Sequence, residues 1–119
     1  MSQITMNFSD DSVLCYITMG RYLSHNQIYI QLNVAEDYKE LSFEKGDEFT
    51  VATVCVVGYT FDSNQTAIKN YSENEGMLDA LSKAGIAKQT DYATDRNSGF
   101  SAPLVTVAED YLKIFEIDK

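Results

Sequence analysis

The stretch QIYIQLNV, residues 27–34, decides the fold of this chain. Apolar side chains at every second position alternate with polar or amphipathic ones, which is the period of a strand with one buried face. The preceding stretch VLCYITM, residues 13–19, is rich in strand-forming residues, and the small polar residues 24–26 suit a turn. The two stretches are therefore predicted to pair as an antiparallel hairpin, with a bulge at Gly20.

Further strands are predicted on the C-terminal side of this hairpin. FTVATVCVV, residues 49–57, is apolar or Thr on both faces, as expected for a strand in the middle of a sheet. Two short strands are predicted over residues 103–107 and 111–117, joined as a second hairpin around residues 109–110. The polar residues 89–98 are predicted to be a loop.

One segment carries a strong helix signature. SENE, residues 72–75, matches a capping box, in which the serine hydroxyl and the glutamate carboxylate each accept from the other residue's backbone N–H. We expect a helix over residues 73–84, with Gly85 as its left-handed C-terminal cap. Gly76 would weaken this helix by about 1 kcal/mol relative to Ala, which suggests that another backbone or a partner approaches closely there.

These elements predict a single α+β domain over residues 1–119, a mostly antiparallel sheet of five or six strands with one main helix packed on one face. The length is close to the commonest size of one domain, and 45% apolar residues with one proline suit a packed core. No apolar run approaches the roughly 20 residues needed to cross a bilayer, and no signal-peptide pattern opens the chain. We therefore expect a cytoplasmic protein without membrane contact.

Charge argues against direct recognition of nucleic acid. The chain has 18 acidic and 9 basic residues, which gives a formal net charge of −9, and the basic residues stand singly. Binding DNA or RNA normally requires a patch of Lys and Arg that displaces counterions from the phosphates. Direct nucleic-acid binding is therefore the function class that the composition disfavours most.

Few residues of the kinds that perform covalent or metal chemistry are present. His25 is the only histidine and lies in the predicted turn, so neither a Ser-His-Asp site nor a four-ligand zinc site is expected. Cys15 and Cys55 lie in apolar runs and are expected to be buried, with no disulfide indicated. Residues 91–97 match a calcium loop only loosely, and no glycine-rich phosphate loop is present. We expect no cofactor, no metal and no enzymatic activity.

Residues 21–107 resemble an uncharacterised family of small proteins, a domain of unknown function, encoded on bacterial phages, plasmids and conjugative elements. The similarity lies in IYIQL (28–32), the predicted strand 49–57, KNYSENEGM (69–77), AGI (84–86), and SGF (98–100) before Pro103. The acidic residues 36–48 and the N-terminal segment are less typical of that family. Genes of this size on mobile elements often encode proteins that disarm host defences, so the resemblance implies an anti-CRISPR or anti-restriction protein.

Carboxylates concentrate in AEDYKELSFEKGDE, residues 35–48, in which Lys45-Gly46-Asp47 is predicted to be a surface turn. Such a density of negative charge can be steered into the basic channel of a host nuclease complex as a mimic of DNA. The alternative is a solvated face that serves solubility alone. The residues predicted to contact the partner are the acids of this connection and of the helix start: Glu36, Asp37, Glu40, Glu44, Asp47, Glu48, Glu73 and Glu75.

A second function also remains open, the binding or sequestering of a small nucleotide-like ligand in a pocket lined by aromatic side chains. It rests on eight tyrosines, among them Tyr16, Tyr22, Tyr29 and Tyr92. Tyrosines on a half-buried sheet are equally expected as core and rim residues. An exposed edge strand of the predicted sheet would also allow a homodimer to form.

Overall fold

The computed structural model describes residues 3–8, 11–22 and 27–115, which contain seven strands, two α-helices and two 3-10 turns. The strands are β1 (Gln3–Phe8), β2 (Asp11–Arg21), β3 (Ile28–Val34), β4 (Glu48–Val51), β5 (Gln65–Ala67), β6 (Ala87–Thr94) and β7 (Ser101–Val107). The helices are α1 (Met77–Lys83) and α2 (Glu109–Ile114), and the 3-10 turns are Lys39–Leu41 and Ser72–Asn74. Within the described ranges, neither helix has the length and apolar character that a bilayer crossing requires.

The strands form two antiparallel sheets with the orders β1-β2-β3-β4 and β5-β7-β6. The prediction of an α+β chain with mostly antiparallel strands and one main helix is confirmed, but the prediction of one sheet with five or six strands is wrong. The Ala52 N–H donates to Ile30 on β3, whereas Thr53 pairs with Ile68 beside β5. Because the chain changes pairing partners at this point, the strands divide into two sheets.

The first hairpin follows the sequence prediction closely. β2 and β3 pair antiparallel, and the Tyr22 N–H donates to the Gln27 carbonyl at 3.0 Å where the described strands end. Gly20 pairs in register with Tyr29, so the predicted bulge is wrong, and the predicted turn with His25 lies outside the described residues. The alternation in β3 is confirmed, since its fully buried residues are Ile28, Ile30, Leu32 and Val34.

The strand predicted over residues 49–57 is shorter than expected and lies at an edge. β4 ends at Val51, and among the described strands it pairs with β3 alone. Beyond the bridge at Thr53 the chain leaves the sheet, so that Val56 is buried while Val57 is 72% exposed. The apolar residues of this run therefore serve the connection between two sheets rather than the two faces of a central strand.

Two other predictions are wrong, one for a polar strand and one for a short helix, because such elements have weak sequence patterns. The loop predicted over residues 89–98 lies largely in β6, an edge strand whose buried residues are Ala87 and Ala93. The strand predicted over residues 111–117 lies mostly in α2, which buries Leu112. The predicted second hairpin is therefore wrong as well, since its turn forms the first residues of that helix.

Two clusters of buried side chains hold the elements together. The larger cluster joins the inner face of the β1–β4 sheet to α1, α2 and β7, and the smaller one lies under the connection between β4 and β5. Neighbouring residues of β7 point to opposite faces, so that Val105 belongs to the larger cluster and Leu104 to the smaller. Both faces of β7 therefore contribute side chains to a buried cluster.

Candidate functional site

The acidic segment, defined as residues 35–48, joins β3 to β4 on the surface. Neither of the two ion pairs found in the described part of the chain, Lys83–Asp79 and Lys113–Glu109, involves this segment. With its two lysines, the segment carries six negative and two positive side chains, a formal net charge of −4. The structure places the following predicted residues together on this connection, all of them exposed: Glu36, Asp37, Glu40, Glu44, Asp47 and Glu48.

Two of these carboxylates accept hydrogen bonds that fix the backbone of the acidic segment. Asp37 Oδ1 accepts from the Lys45 N–H at 2.8 Å, and Asp47 Oδ2 accepts from the Glu44 N–H at 2.9 Å. The second bond closes the predicted turn around Gly46, which is confirmed. Among the described contacts, no side-chain hydrogen bond is made by the remaining four carboxylates, those of Glu36, Glu40, Glu44 and Glu48.

A row of side-chain hydrogen bonds on the outer face of β3 anchors this turn. The Tyr29 hydroxyl donates to Gln31 Oε1 at 2.5 Å, and Gln31 Nε2 donates to Asn33 Oδ1 at 3.2 Å. Asn33 Nδ2 then donates to the Gly46 carbonyl at 3.1 Å. Because alternate residues of a strand share a face, the pattern that buries one side of β3 also builds this row on the other side. The acidic segment is thereby tied to the most regular strand of the fold.

The segment before α1 differs from the predicted capping box. Ser72 adopts a left-handed backbone conformation with φ +55° and opens a 3-10 turn, and no Ser72–Glu75 capping bond forms through side chains. The residue that caps α1 is Asn70, which precedes the predicted box: Asn70 Oδ1 accepts from the Leu78 N–H at 2.9 Å. The predicted capping box is wrong because Ser72 lies too early and in the wrong conformation to cap a helix that begins at Met77.

Two glycines border α1. Gly85 has φ +74°, so the predicted left-handed C-terminal cap is confirmed. Gly76 lies outside the helix at φ +90°, and a Cβ at this residue would have no neighbouring atom within 4 Å. The left-handed backbone therefore accounts for Gly76, and the predicted close approach of another backbone is wrong within the described residues.

Asn74 fixes the same turn to β4. Its side chain is fully buried, accepts from the Thr50 hydroxyl and donates to the Val51 carbonyl, both at 2.7 Å. The turn is thus held against the strand that begins at the end of the acidic segment. Of the two predicted partner-binding residues here, Glu75 is exposed, whereas the side chain of Glu73 lies outside the described part.

A groove of about 620 Å³ lies beside β4, and we call it the tyrosine groove. The Tyr22 ring packs edge-on against Tyr29, with 5.3 Å between the ring centroids, and its hydroxyl shares a 2.9 Å hydrogen bond with Thr53. Burial raises the pKa of Tyr22. The principal side chains of the tyrosine groove are Tyr22, Glu48, Phe49, Cys55, Lys69 and Tyr71.

The far side of the tyrosine groove is also aromatic. Lys69 Nζ lies 5.7 Å from the centroid of the Tyr71 ring, and this ring meets Phe100 edge-on at 6.1 Å. Of the four tyrosines singled out from the sequence, Tyr22 lines the tyrosine groove, and Tyr29 contacts the Tyr22 ring without lining the groove. Tyr16 does not line the tyrosine groove, and Tyr92 is 59% exposed on β6. The aromatic wall at Tyr71 was not predicted, because Tyr71 is remote in sequence from β2 and β3.

The residues considered for covalent or metal chemistry are dispersed. Cys15 is fully buried, as predicted, and burial raises the pKa of its thiol to about 12. The prediction is wrong for Cys55, which is only half-buried, and no disulfide joins the two. His25 lies outside the described residues. Across the ranges that the structure covers, no three His, Cys, Asp or Glu side chains are grouped to hold a metal ion.

Asp95, part of the loose calcium pattern, organises a turn instead. Its carboxylate accepts from the backbone N–H groups of Asn97 at 2.7 Å and of Ser98 and Gly58 at 3.3 Å. These bonds lower the pKa of Asp95, the bond from Asn97 most of all. A Cβ at Gly58 would stand 2.2 Å from Asp95 Oδ1, so this close approach explains the glycine.

No protein-family model, curated protein sequence or solved structure matches this chain. The resemblance to a family encoded on mobile elements therefore stays a prediction that rests on the residues quoted for it. Function is accordingly inferred from the geometry and charge of the described residues.

Proposed function

We propose that this chain inhibits a host nucleic-acid-targeting complex, of CRISPR or restriction type, by placing the acidic segment against a positively charged surface of that complex. The observation that supports the proposal is the set of six exposed carboxylates on one connection. The proposed site of action is the host cytoplasm, and the proposed contact is made with protein rather than with nucleic acid or membrane. Contact alone blocks the complex, without catalysis.

Electrostatics favours the acidic segment as the contact surface. A net charge of −4 on one surface connection adds to the field of a chain whose net charge is −9, so a basic partner is attracted before contact. Exposed charges act over about 8 Å at physiological ionic strength, which makes such attraction sensitive to salt. Opposite charge should therefore raise the association rate more than it slows dissociation.

The rigidity of the acidic segment also favours binding. Asp37, Asp47 and Asn33 hold its backbone through hydrogen bonds, so the exposed glutamates project from a fixed frame. A surface that is already ordered loses less conformational entropy on binding than a flexible one. The aspartates fix the backbone and the glutamates carry the free charge. The glutamates can therefore be changed in a test while the aspartates are kept.

The experiment compares two variants with the same net charge. Four charge reversals raise the net charge by eight, from −9 to −1, in each variant. The segment variant carries Glu36→Lys, Glu40→Lys, Glu44→Lys and Glu48→Lys. The control variant carries the same kind of change at exposed acids elsewhere, namely Asp62→Lys, Asp79→Lys, Asp91→Lys and Asp110→Lys.

Each protein is expressed in bacteria that carry one of a panel of CRISPR and restriction systems, and the plating of a targeted phage is counted. We expect the wild-type and control proteins to protect the phage from one of these systems and the segment variant to lose that protection. Circular dichroism checks that both variants fold. Protection retained by the segment variant, or no protection by the wild type against any system in the panel, would count against the proposal.

The tyrosine groove supports a second candidate function, the binding of a small nucleotide-like ligand. Its rings offer stacking surfaces, and its volume of about 620 Å³ lies within the usual range of ligand sites, roughly 300–1,000 Å³. Tyr71→Ala removes one wall of the tyrosine groove, whereas Tyr92→Ala changes an exposed tyrosine outside it. A nucleotide that binds there raises the melting temperature of the wild type and of Tyr92→Ala but not of Tyr71→Ala. The absence of any shift with mononucleotides would exclude this candidate.

A further inference from the structure

The outer face of the hairpin formed by β2 and β3 is a continuous surface that we call the open face. It consists of three pairs of directly opposed residues, and the Cβ positions of such pairs lie about 4.5–5.5 Å apart. The pairs of the open face are Tyr16 with Asn33, Thr18 with Gln31, and Gly20 with Tyr29. All six residues are half-buried, whereas the intervening Ile17, Ile30 and Leu32 belong to the core on the other side of the sheet.

None of the six residues of the open face carries a charge, although the chain has a net charge of −9. The open face presents phenol, amide and hydroxyl groups around one glycine. A surface that serves solubility alone has roughly a quarter to a third charged residues. The centre of a protein–protein contact is instead depleted of charged residues and enriched in tyrosine. The composition of the open face is therefore that of a contact with another protein.

Gly20 leaves a gap in the open face. Its backbone is not left-handed, and a Cβ at this residue would meet no atom of the described chain within 4 Å. Neither backbone conformation nor close packing therefore requires a glycine, which weakens a strand by about 0.5–1 kcal/mol relative to Ala. The opposed Tyr29 does not fill the gap, since its hydroxyl donates to Gln31 and its ring packs edge-on against Tyr22. A glycine inside a strand often marks the close approach of a ligand or of another backbone.

The acidic segment borders the open face. Asn33 Nδ2 donates to the Gly46 carbonyl at 3.1 Å, and Glu48, the last residue of the acidic segment, pairs with Asn33 across β3 and β4. Burial raises the pKa of Tyr29, and the negative charge of Glu48 raises it further, so the field of this carboxylate reaches the open face. An uncharged centre with a polar, solvated rim is the usual arrangement of a protein–protein contact.

We propose that the open face is the centre of the contact with the partner complex and that the acidic segment is the charged rim of this contact. A side chain of the partner enters the gap at Gly20, between Thr18 and Tyr22 and beside Tyr29. The partner surface that fits is an uncharged projection flanked by basic residues. This inference rests on the proposed inhibition, because it names the rest of the surface that holds the same partner.

The centre and the rim should affect the kinetics of binding differently. Exposed charges at a rim mainly change the association rate and its dependence on salt. Most other substitutions in a contact change the dissociation rate. A substitution in the open face should therefore accelerate dissociation, whereas the segment variant should associate more slowly.

The first test fills the gap. Gly20→Val adds a side chain where space is available and suits a strand, so its melting temperature should not fall below that of the wild type. Thr90→Val is the control, an exposed position on β6 in the other sheet. In the plating assay, Gly20→Val should lose protection and Thr90→Val should keep it. With the purified complex of the system that responds, surface plasmon resonance should show dissociation at least about tenfold faster for Gly20→Val, the effect expected at the centre of a contact.

The second test leaves the glycine unchanged. Thr18→Lys places a positive charge at the centre of the open face, and Thr90→Lys places the same charge on β6. Each raises the net charge from −9 to −8, so the two variants differ only in the position of the lysine. Only Thr18→Lys should lose protection, because its lysine is removed from water against a basic partner. Circular dichroism checks that both variants fold.

The inference is overturned if Thr18→Lys, or a folded Gly20→Val, protects the phage and dissociates as the wild type does, or if the Thr90 controls lose protection equally. Analytical ultracentrifugation examines the other occupant: a wild-type dimer that separates in Gly20→Val would assign the open face to a second copy of this chain and overturn the inference. Loss of protection in the segment variant alone would overturn this inference and leave the proposed function in place. No protection by the wild type against any system would overturn both.

Discussion

The acidic segment and the turn before α1, residues 70–76, are both polar stretches between apolar elements, yet their side chains have opposite roles. In the turn, Asn74 is fully buried with its amide bonded to β4, and Asn70 caps α1. In the acidic segment every carboxylate is exposed, and only Asp37 and Asp47 bond to the backbone. The first stretch maintains the fold, and the second presents charge.

This difference bears on the resemblance to a family encoded on mobile elements. The residues that carry the resemblance most clearly, 69–77, include the two asparagines and the left-handed Gly76 that hold the turn together. A shared turn structure, without a shared function, is therefore sufficient to explain a similar sequence motif in other proteins. The acidic segment, which is less typical of that family, is the better place to look for a contact with a partner.

The largest effect is expected at Asn74. Asn74→Ala leaves the Thr50 hydroxyl and the Val51 carbonyl without their partner in a partly buried setting, which should lower the free energy of unfolding by about 2 kcal/mol. Urea denaturation measures this change. Asn97→Ala is the matched control at an exposed position and should change stability by less than about 0.5 kcal/mol. Equal effects of the two substitutions would show that the buried amide does not hold the turn.

A smaller effect is expected at Asn70. Asn70→Ala removes the acceptor for the Leu78 N–H and should cost about 1 kcal/mol, the usual loss for a helix cap. Asn70→Asp keeps an acceptor of the same shape and should retain most of the stability. Hydrogen exchange at the Leu78 amide should accelerate in the first variant only. Unchanged exchange in Asn70→Ala would contradict the assigned cap.

Within the acidic segment, substitution of an aspartate that accepts a backbone hydrogen bond should destabilise the fold more than substitution of a glutamate that accepts none. Asp47→Ala removes the acceptor for the Glu44 N–H and should lower the free energy of unfolding by about 0.5–1 kcal/mol, since the bond is exposed. Glu44→Ala removes a side chain without such a bond and should be neutral within about 0.5 kcal/mol. The two variants are compared by urea denaturation. A loss of stability in Glu44→Ala as large as in Asp47→Ala would contradict the assignment of the structural role to the aspartate.

The smallest effect, and the one that depends on pH, is expected at Asp95. Hydrogen bonds from backbone N–H groups lower its pKa in the folded state, so the ionised carboxylate stabilises the fold above its usual pKa of 3.8 and loses that effect as the pH falls through the lowered value. Asp95→Asn should therefore be less stable than the wild type at neutral pH, and the difference should shrink in acid. Denaturation at several pH values tests this, with Asp62→Asn as an exposed control. A difference that is constant with pH would contradict the assignment.

Periodicity predicted the parts of the fold in which one strand face is buried. β3 alternates over its whole length, and β2 and the turn around Gly46 follow from equally local signals. β6 was not predicted because its buried residues are two alanines among exposed polar side chains. α2 was not predicted because a six-residue helix depends on burial of Leu112, which no local pattern reports, although Glu109 and Asp110 in its first turn suit a helix start.

The sequence also predicted where the carboxylates concentrate but not how they are held. The bonds from Asn33 to Gly46 and from Lys45 to Asp37 join residues eight or more positions apart, so no local pattern reveals them. The same limit applies to the tyrosine groove, which brings together side chains from distant parts of the chain. The helix start was misread because the true cap, Asn70, lies outside the spacing of a capping box.

Contact through the acidic segment is tested by affinity capture from a bacterial cell extract, with the wild-type chain, the segment variant and the control variant as baits. If the acidic segment makes the contact, the wild-type and control baits retain the same nuclease-containing complex at low ionic strength and release it at high ionic strength, while the segment variant retains none. A complex that binds the segment variant as well as the wild type, or that is lost equally from both charge-reversed baits, would contradict it.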